Sequence, residues 1–143
     1  MNSPKISAYI YPGIIELNKG ITFDLIREAV CIEFDLPFNE IASSSQKRVY
    51  VEPRQILQTL TRALTHESQA KIGMRFEGKT GKYKDHATII HSKNRFYEHY
   101  ETESDYRTTV RRILLRIGKN GDYFDRKTKT SLQKRRRELT NVF

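Results

Sequence analysis

The chain is short of several things that define whole classes of protein. It has one cysteine in 143 residues, so Cys31 can form no internal disulfide and cannot anchor a cysteine zinc site. No apolar run approaches the roughly 18 residues of a membrane span, and the start Met1-Asn2-Ser3-Pro4-Lys5 has no apolar signal region. Those absences predict a soluble, cytoplasmic protein with no membrane partner. Acid is the scarcer charge: 17 Asp and Glu stand against 26 Lys and Arg, a formal net charge of +9. At 37% hydrophobic and 30% charged residues, the composition supports one compact domain with a lean core and an ionic surface.

The shortage of acid is not uniform. Residues 1–43 hold three basic and six acidic residues, whereas residues 44–143 hold 23 basic and 11 acidic. That asymmetry points to a polyanionic partner for the later part of the chain and offers the acidic early part to a protein contact. A solvated basic surface would explain charge alone equally well, so the residue pattern has to decide.

Hydrophobic spacing is helical along most of the chain. Ile6, Ala8 and Ile10 alternate ahead of Pro12-Gly13, which leaves residues 1–21 as an irregular arm or a small strand pair. From Thr22, a natural N-cap, the residues Phe23, Ile26, Val30 and Phe34 recur at helical intervals. Pro37 ends that helix and opens a short second one over residues 37–42, followed by the polar, basic loop Ser43-Ser44-Ser45-Gln46-Lys47-Arg48. Pro53 is expected to start the next helix, with Ile56, Leu57, Leu60, Ala63 and Leu64 as its apolar stripe. Ser68 caps a brief helix that buries Ile72 and Phe76, and a Gly- and Lys-rich turn spans residues 77–84. Asp85 then caps a longer helix to about Tyr100, and Ser104 caps a last one ending at Gly118. Residues 119–143 are expected to form a basic, flexible tail carrying Lys134-Arg135-Arg136-Arg137. The expected fold class is therefore all-α, one domain over residues 22–118, with a short-helix, turn, longer-helix unit inside it.

Two enzyme-like patterns fail on geometry. Gly73-Met74-Arg75-Phe76-Glu77-Gly78-Lys79-Thr80 fits the phosphate-loop string G-x-x-x-x-G-K-T. That loop needs a buried strand before it and a helix opening at Lys-Thr, but Gly73 sits in a helical pattern and the core wants Phe76. His86 and His91 are five apart, about 140° around a helix, too far to grip one ion. No catalytic residue, metal, cofactor or small-molecule substrate is expected.

The short and long helices joined by a basic turn form the layout of a helix-turn-helix. On a helical wheel Ile89, Ile90, Lys93, Phe96 and Tyr97 fall to one side of the longer helix, and Ala87, Thr88, His91 and Arg95 to the other. The polar side begins at the helix N-terminus, where free amides and the dipole favour phosphate. Asp85 can accept from a cytosine amine, His86 can donate, and Thr88 can offer methyl or hydroxyl to a base edge. Arg54 and Arg62, eight apart, are placed to hold phosphates, and Lys79, Lys82 and Lys84 supply charge in the turn.

The strings Glu52-Pro53-Arg54-Gln55-Ile56, Leu64-Thr65, Ser68-x-x-x-Ile72-Gly73-x-x-Phe76 and Asp85-His86-Ala87-Thr88-Ile89-Ile90-His91-Ser92 resemble the C-terminal DNA-binding domain of the bacterial replication initiator family DnaA. The family pattern runs R-P-R-Q, then L-T, then S-x-x-x-I-G-x-x-F-G-G-R-D-H-[ST]-T-V-[LI]-H-[AS], and the resemblance covers residues 22–118. It implies a six-helix fold similar to the Trp repressor and sequence-specific binding of double-stranded DNA in replication initiation or its regulation. It makes Asp85, His86, Ala87 and Thr88 the base readers in the major groove. Gln46, Lys47 and Arg48 become a loop reaching the minor groove, and Arg54, Gln55 and Arg62 become phosphate contacts, joined by Lys82, Lys84, His91 and Arg95. Gln46 stands where the family has its minor-groove arginine, Ala87 replaces a threonine, and Ala70 a proline. The turn is about five residues longer, through Thr80-Gly81-Lys82-Tyr83-Lys84. Because this chain shows no ATPase module ahead of the resemblance, the expectation is a stand-alone box-binding protein. The alternative is a protein- or RNA-interaction module, or a transcriptional regulator, using the same fold with the basic tail.

Overall fold

A computed structural model describes residues 20–78 and 86–125, apart from the side chain of His86, and among them the regular structure is six helices. The first, α1 (Phe23–Phe34), begins as expected: Thr22 Oγ1 accepts from the amide of Leu25 at 3.3 Å, and Asp24 lies in the first turn. It stops at Asp35, which takes the left-handed conformation at φ 52° and turns its amide back to the Cys31 and Ile32 carbonyls. Pro37 then leads into α2 (Phe38–Ile41), whose Ile41 is fully buried.

The central element is α3 (Arg48–Leu64), which packs against α1, α2, the short α4 (Gln69–Gly73) and the long α5 (His86–Thr102). It starts five residues earlier than expected, so Pro53 lies inside it. Proline gives up one amide bond and tolerates only a fixed φ, and the added turn is held by other means. The amides of Tyr50 and Val51 each reach the Lys47 carbonyl at 3.0 Å, and Arg48 pairs with Glu52 one turn on. The apolar stripe is as expected, with Ile56, Leu57 and Leu60 at 0% exposure.

Ser68 Oγ caps α4 by accepting from the Lys71 amide at 3.1 Å. This helix ends at Gly73, sooner than the expected 76, and a turn then delivers Phe76 to the core. The expected cap Asp85 and the turn lysines Lys79, Lys82 and Lys84 lie outside the described residues, as do the arm 1–19 and the tail from residue 126. On α5 the buried row is Ile89, Ser92, Phe96 and Tyr100. Ser92 takes the inward place expected of Lys93 because its hydroxyl donates to Gln58 Oε1 on α3 at 2.5 Å. Ile90, expected inside, is 38% exposed. The last described helix, α6 (Ser104–Arg116), has Glu103 rather than Ser104 as its N-cap, with no side-chain cap bond.

The packed domain continues past the expected boundary at Gly118. That glycine does stop the helix, at φ 84°, but the chain turns again and buries Phe124 completely. Its ring lies 4.9 Å from Phe96 and 6.0 Å from Tyr100, and Asp125 accepts from the Tyr100 hydroxyl at 2.6 Å and from Arg111 at 3.1 Å. Burial first, then the Asp125 hydrogen bond, pushes the Tyr100 phenol up to about 12.

The alkaline limb of stability carries this signature. Below pH 10 Tyr100 is protonated whether the chain is folded or not, so it adds no slope. Above pH 10 the unfolded chain ionises while the folded one holds its proton to about 12. Stability is therefore expected to fall as pH rises through that window, by about 2 kcal/mol from this group. Urea titrations across the window should show a shallower decline in Tyr100→Phe; an unchanged slope would remove Tyr100 as its source.

Candidate nucleic-acid interface

The outer surface of α5 is built by the same periodicity that builds its buried row. With Ile89, Ser92, Phe96 and Tyr100 inward, residues spaced by four on the far side must point out. Ala87, His91, Asn94 and Arg95 are exposed there, and Thr88 is half-buried at the edge. Of the four expected base readers, Ala87 and Thr88 can thus be placed. His86 opens the helix.

The loop before α3 is held close to that surface. Gln46, Lys47 and Arg48 are all exposed, and Gln46 and Arg48 line a cleft of ≈ 200 Å³ together with Val51, Glu52, Gln55, Arg95 and His99. Two stretches distant in sequence, the loop running into α3 and the middle of α5, therefore converge on one concavity. Four of the residues singled out from sequence (Gln46, Arg48, Gln55, Arg95) line it. Along α3, Arg48, Gln55 and Arg62 are seven apart, a spacing that drifts only about 20° per step around a helix. They form one ridge leading away from the cleft, with Arg62 exposed at its far end and near the Glu67 carbonyl at 3.4 Å.

Arg54 is not on that ridge. Expected on a phosphate, it is 4% exposed, with Nε donating to the Ile41 carbonyl at 2.8 Å and Nη2 buried without a partner. Burial lowers its pKa. In this structure Arg54 fastens α2 to α3, and it does not belong to the exposed cationic set. The 80° separation implied by eight residues on a helix, small enough to suggest a shared face, is large enough to put one arginine in and the other out.

The acidic partners of the cleft's Arg48 and His99 were not foreseen. Arg48 Nη2 reaches Glu103 at 2.8 Å and Glu52 at 3.3 Å, while His99 Nδ1 lies 2.5 Å from the other Glu103 oxygen. Hydrogen bonds from His99 and then Arg48 hold the Glu103 carboxyl below its usual range. The Arg48–Glu52 pair is legible as an i,i+4 spacing. The Glu103 pair spans 55 residues, and no local pattern announces it.

The phosphate-loop string is embedded in another fold. A helix, α4, precedes it where a strand would be required, Gly73 is buried within that helix, and Phe76 is a core residue at 1% exposure. No helix among the described residues is long and apolar enough to cross a membrane.

A short helix, a turn and a longer helix with an exposed polar face, both packed on a central helix, define a helix-turn-helix domain. The family model described as the bacterial dnaA protein helix-turn-helix matches residues 23–95, and the chain belongs to that family. Its relatives include proteins described as chromosomal replication initiator protein DnaA. The one from Geotalea daltonii is 35% identical over 100 residues, 70% of this chain and 21% of the relative. That from Geobacter sulfurreducens is 36% identical over 97 residues, covering 68% and 21%, and that from Bacteroides thetaiotaomicron 33% over 109, covering 76% and 22%. The chain thus spans about a fifth of the length of the curated relatives it matches.

Proposed function

We propose that this chain binds double-stranded DNA at a specific box, through α5 in the major groove, and acts in replication initiation or its regulation. The observation that carries the reading is the convergence of the exposed side of α5, the loop at residues 46–48 and the Arg48–Gln55–Arg62 ridge on one side of the domain. Asp85, His86, Ala87 and Thr88 read base edges. Gln46, Lys47 and Arg48 enter the adjacent minor groove, and Gln55, Arg62, Lys82, Lys84, His91 and Arg95 grip phosphates. Membership in a helix-turn-helix family named for a replication initiator supports the process assigned. The acidic N-terminal part remains available for a protein partner: α1 exposes Leu25 and Ile32 as well as Asp24 and Glu28.

Binding to a duplex with an initiator-type box should exceed binding to a scrambled duplex by a hundredfold or more, roughly 3 kcal/mol. That preference should survive added salt while both affinities fall, as expected for about four to six cationic contacts with the DNA. His86→Ala should cost about 1–3 kcal/mol on the box and little on the scrambled duplex. Equal losses on both would make His86 structural, and equal binding to both duplexes by the unaltered chain would leave only charge.

A further inference from the structure

The loop that carries Gln46 and Lys47 and leads into Arg48, the first residue of α3, has little fold of its own. Most of its hydrogen bonds are short-range: Ser43 Oγ to the Glu40 carbonyl at 2.7 Å, the Ser45 amide to Ser43 Oγ at 3.4 Å, the Lys47 amide to Ser45 Oγ at 3.3 Å, and Gln46 Nε2 to the Ser44 carbonyl at 3.2 Å. Such bonds shape a loop without fixing where it stands. Its position is set by Glu77, 33 residues away. Glu77 Oε1 accepts from the Ser44 amide at 3.1 Å, and the Glu77 amide donates to the Ala42 carbonyl at 2.8 Å. One residue thus holds the loop by backbone and side chain together. Its neighbour Phe76 is locked in the core, its ring 5.8 Å from Phe38 of α2. Glu77 therefore stands on a rigid base, and it lies in the segment that leads from α4 to α5.

We propose that Glu77 is a positioning residue for DNA recognition, clasping the loop at residues 43–47 at a fixed offset from the helix-turn-helix so that both grooves are engaged in register. The role rests on the reading that this loop touches DNA. Fixing a loop before binding reduces the conformational entropy lost on association. A carboxylate is otherwise an ill-suited group beside a phosphate backbone, since its own charge opposes binding. The clasp and the charge therefore predict opposite results.

The test uses the full chain and four variants: Glu77→Ala, Glu77→Gln, Lys47→Ala and the Lys47→Ala/Glu77→Ala double variant. Glu77→Ala should weaken box binding about tenfold, the scale of one hydrogen bond to a charged acceptor, and should speed hydrogen exchange at the Ser44 amide. Glu77→Gln keeps an acceptor oxygen in place and should bind within about twofold of the unaltered chain. In the double variant the two losses should be less than additive, because a loop without its lysine has less to gain from being placed. Tighter binding by both Glu77 variants would mean the residue acts only as a charge and would overturn the clasp. A lowered melting temperature in Glu77→Ala, with box and scrambled affinities falling together, would overturn it in favour of a merely structural role. If Lys47→Ala weakens binding while Glu77→Ala does not, the loop touches DNA but the clasp idea fails. If Lys47→Ala itself is silent, the loop reading fails and takes the clasp with it.

Discussion

Phe96→Ala is expected to remove about 3–5 kcal/mol of folding stability, the range for emptying a buried aromatic site. Domains of this size hold only about 5–15 kcal/mol in total, so the loss would take about a third to a half of the stability of a domain near the middle of that range. Phe96 is at 0% exposure. Its ring meets Tyr97 at 5.4 Å, Tyr100 at 5.8 Å, Tyr106 at 5.7 Å and Phe124 at 4.9 Å. That cluster joins α5, α6 and the last described turn, so a cavity there loosens three segments together. Because Ala87, the exposed reader that can be placed, lies on the opposite side of the same helix, DNA affinity should fall with the folded fraction, and the ratio of box to scrambled binding should stay constant. Urea unfolding followed by circular dichroism measures the first effect. A loss under about 1 kcal/mol would mean the site collapses around the gap and that the cluster is not what holds α5 in place.

Arg54→Ala is expected to cost about 2–4 kcal/mol, through lost packing and an orphaned Ile41 carbonyl. The comparison with Arg54→Met separates the causes. Methionine keeps most of the stem volume and removes both the buried charge and the unpartnered Nη2, leaving only the Ile41 carbonyl unpaired, so its cost should be about 1 kcal/mol. Measured where each variant is folded, both should retain their affinity for DNA. A stable Arg54→Met chain that bound every duplex about tenfold more weakly would instead show that the guanidinium swings out to meet a phosphate.

Periodicity carried the helical fold because each helix has one apolar stripe and a distinct stop. Thr22, Ser68 and Gly118 act where their chemistry places them, and the helix-turn-helix follows from the spacing of Ile72, Phe76, Ile89 and Phe96. What escaped has a common origin in contacts between segments. The first turn of α3 forms ahead of Pro53 because Arg48 finds Glu52 and Glu103, and only one of those partners is local. Arg54 looks like a surface cation until the Ile41 carbonyl of another helix claims it. Phe124 sits in a polar stretch, and nothing in its neighbours says that a cavity beside Phe96 and Tyr100 awaits it. Ser92 displaces Lys93 from the inner face because Gln58 offers an acceptor. At the candidate interface the residue types were legible and the cleft that gathers them was not, because its walls come from two stretches about 40 residues apart.

The carboxylates beside Arg48 change what a salt titration counts. A cation that meets a phosphate displaces an ion condensed on the DNA, but Arg48 already carries Glu52 and Glu103 as its counterions, and Arg95 carries Glu98 at 3.1 Å. For these arginines, the proposed transfer to DNA would be an exchange: the abandoned carboxylates would take up sodium or potassium while the DNA gives them off. The shortfall of the ions liberated against the cations in contact would therefore be a census of the acids set free.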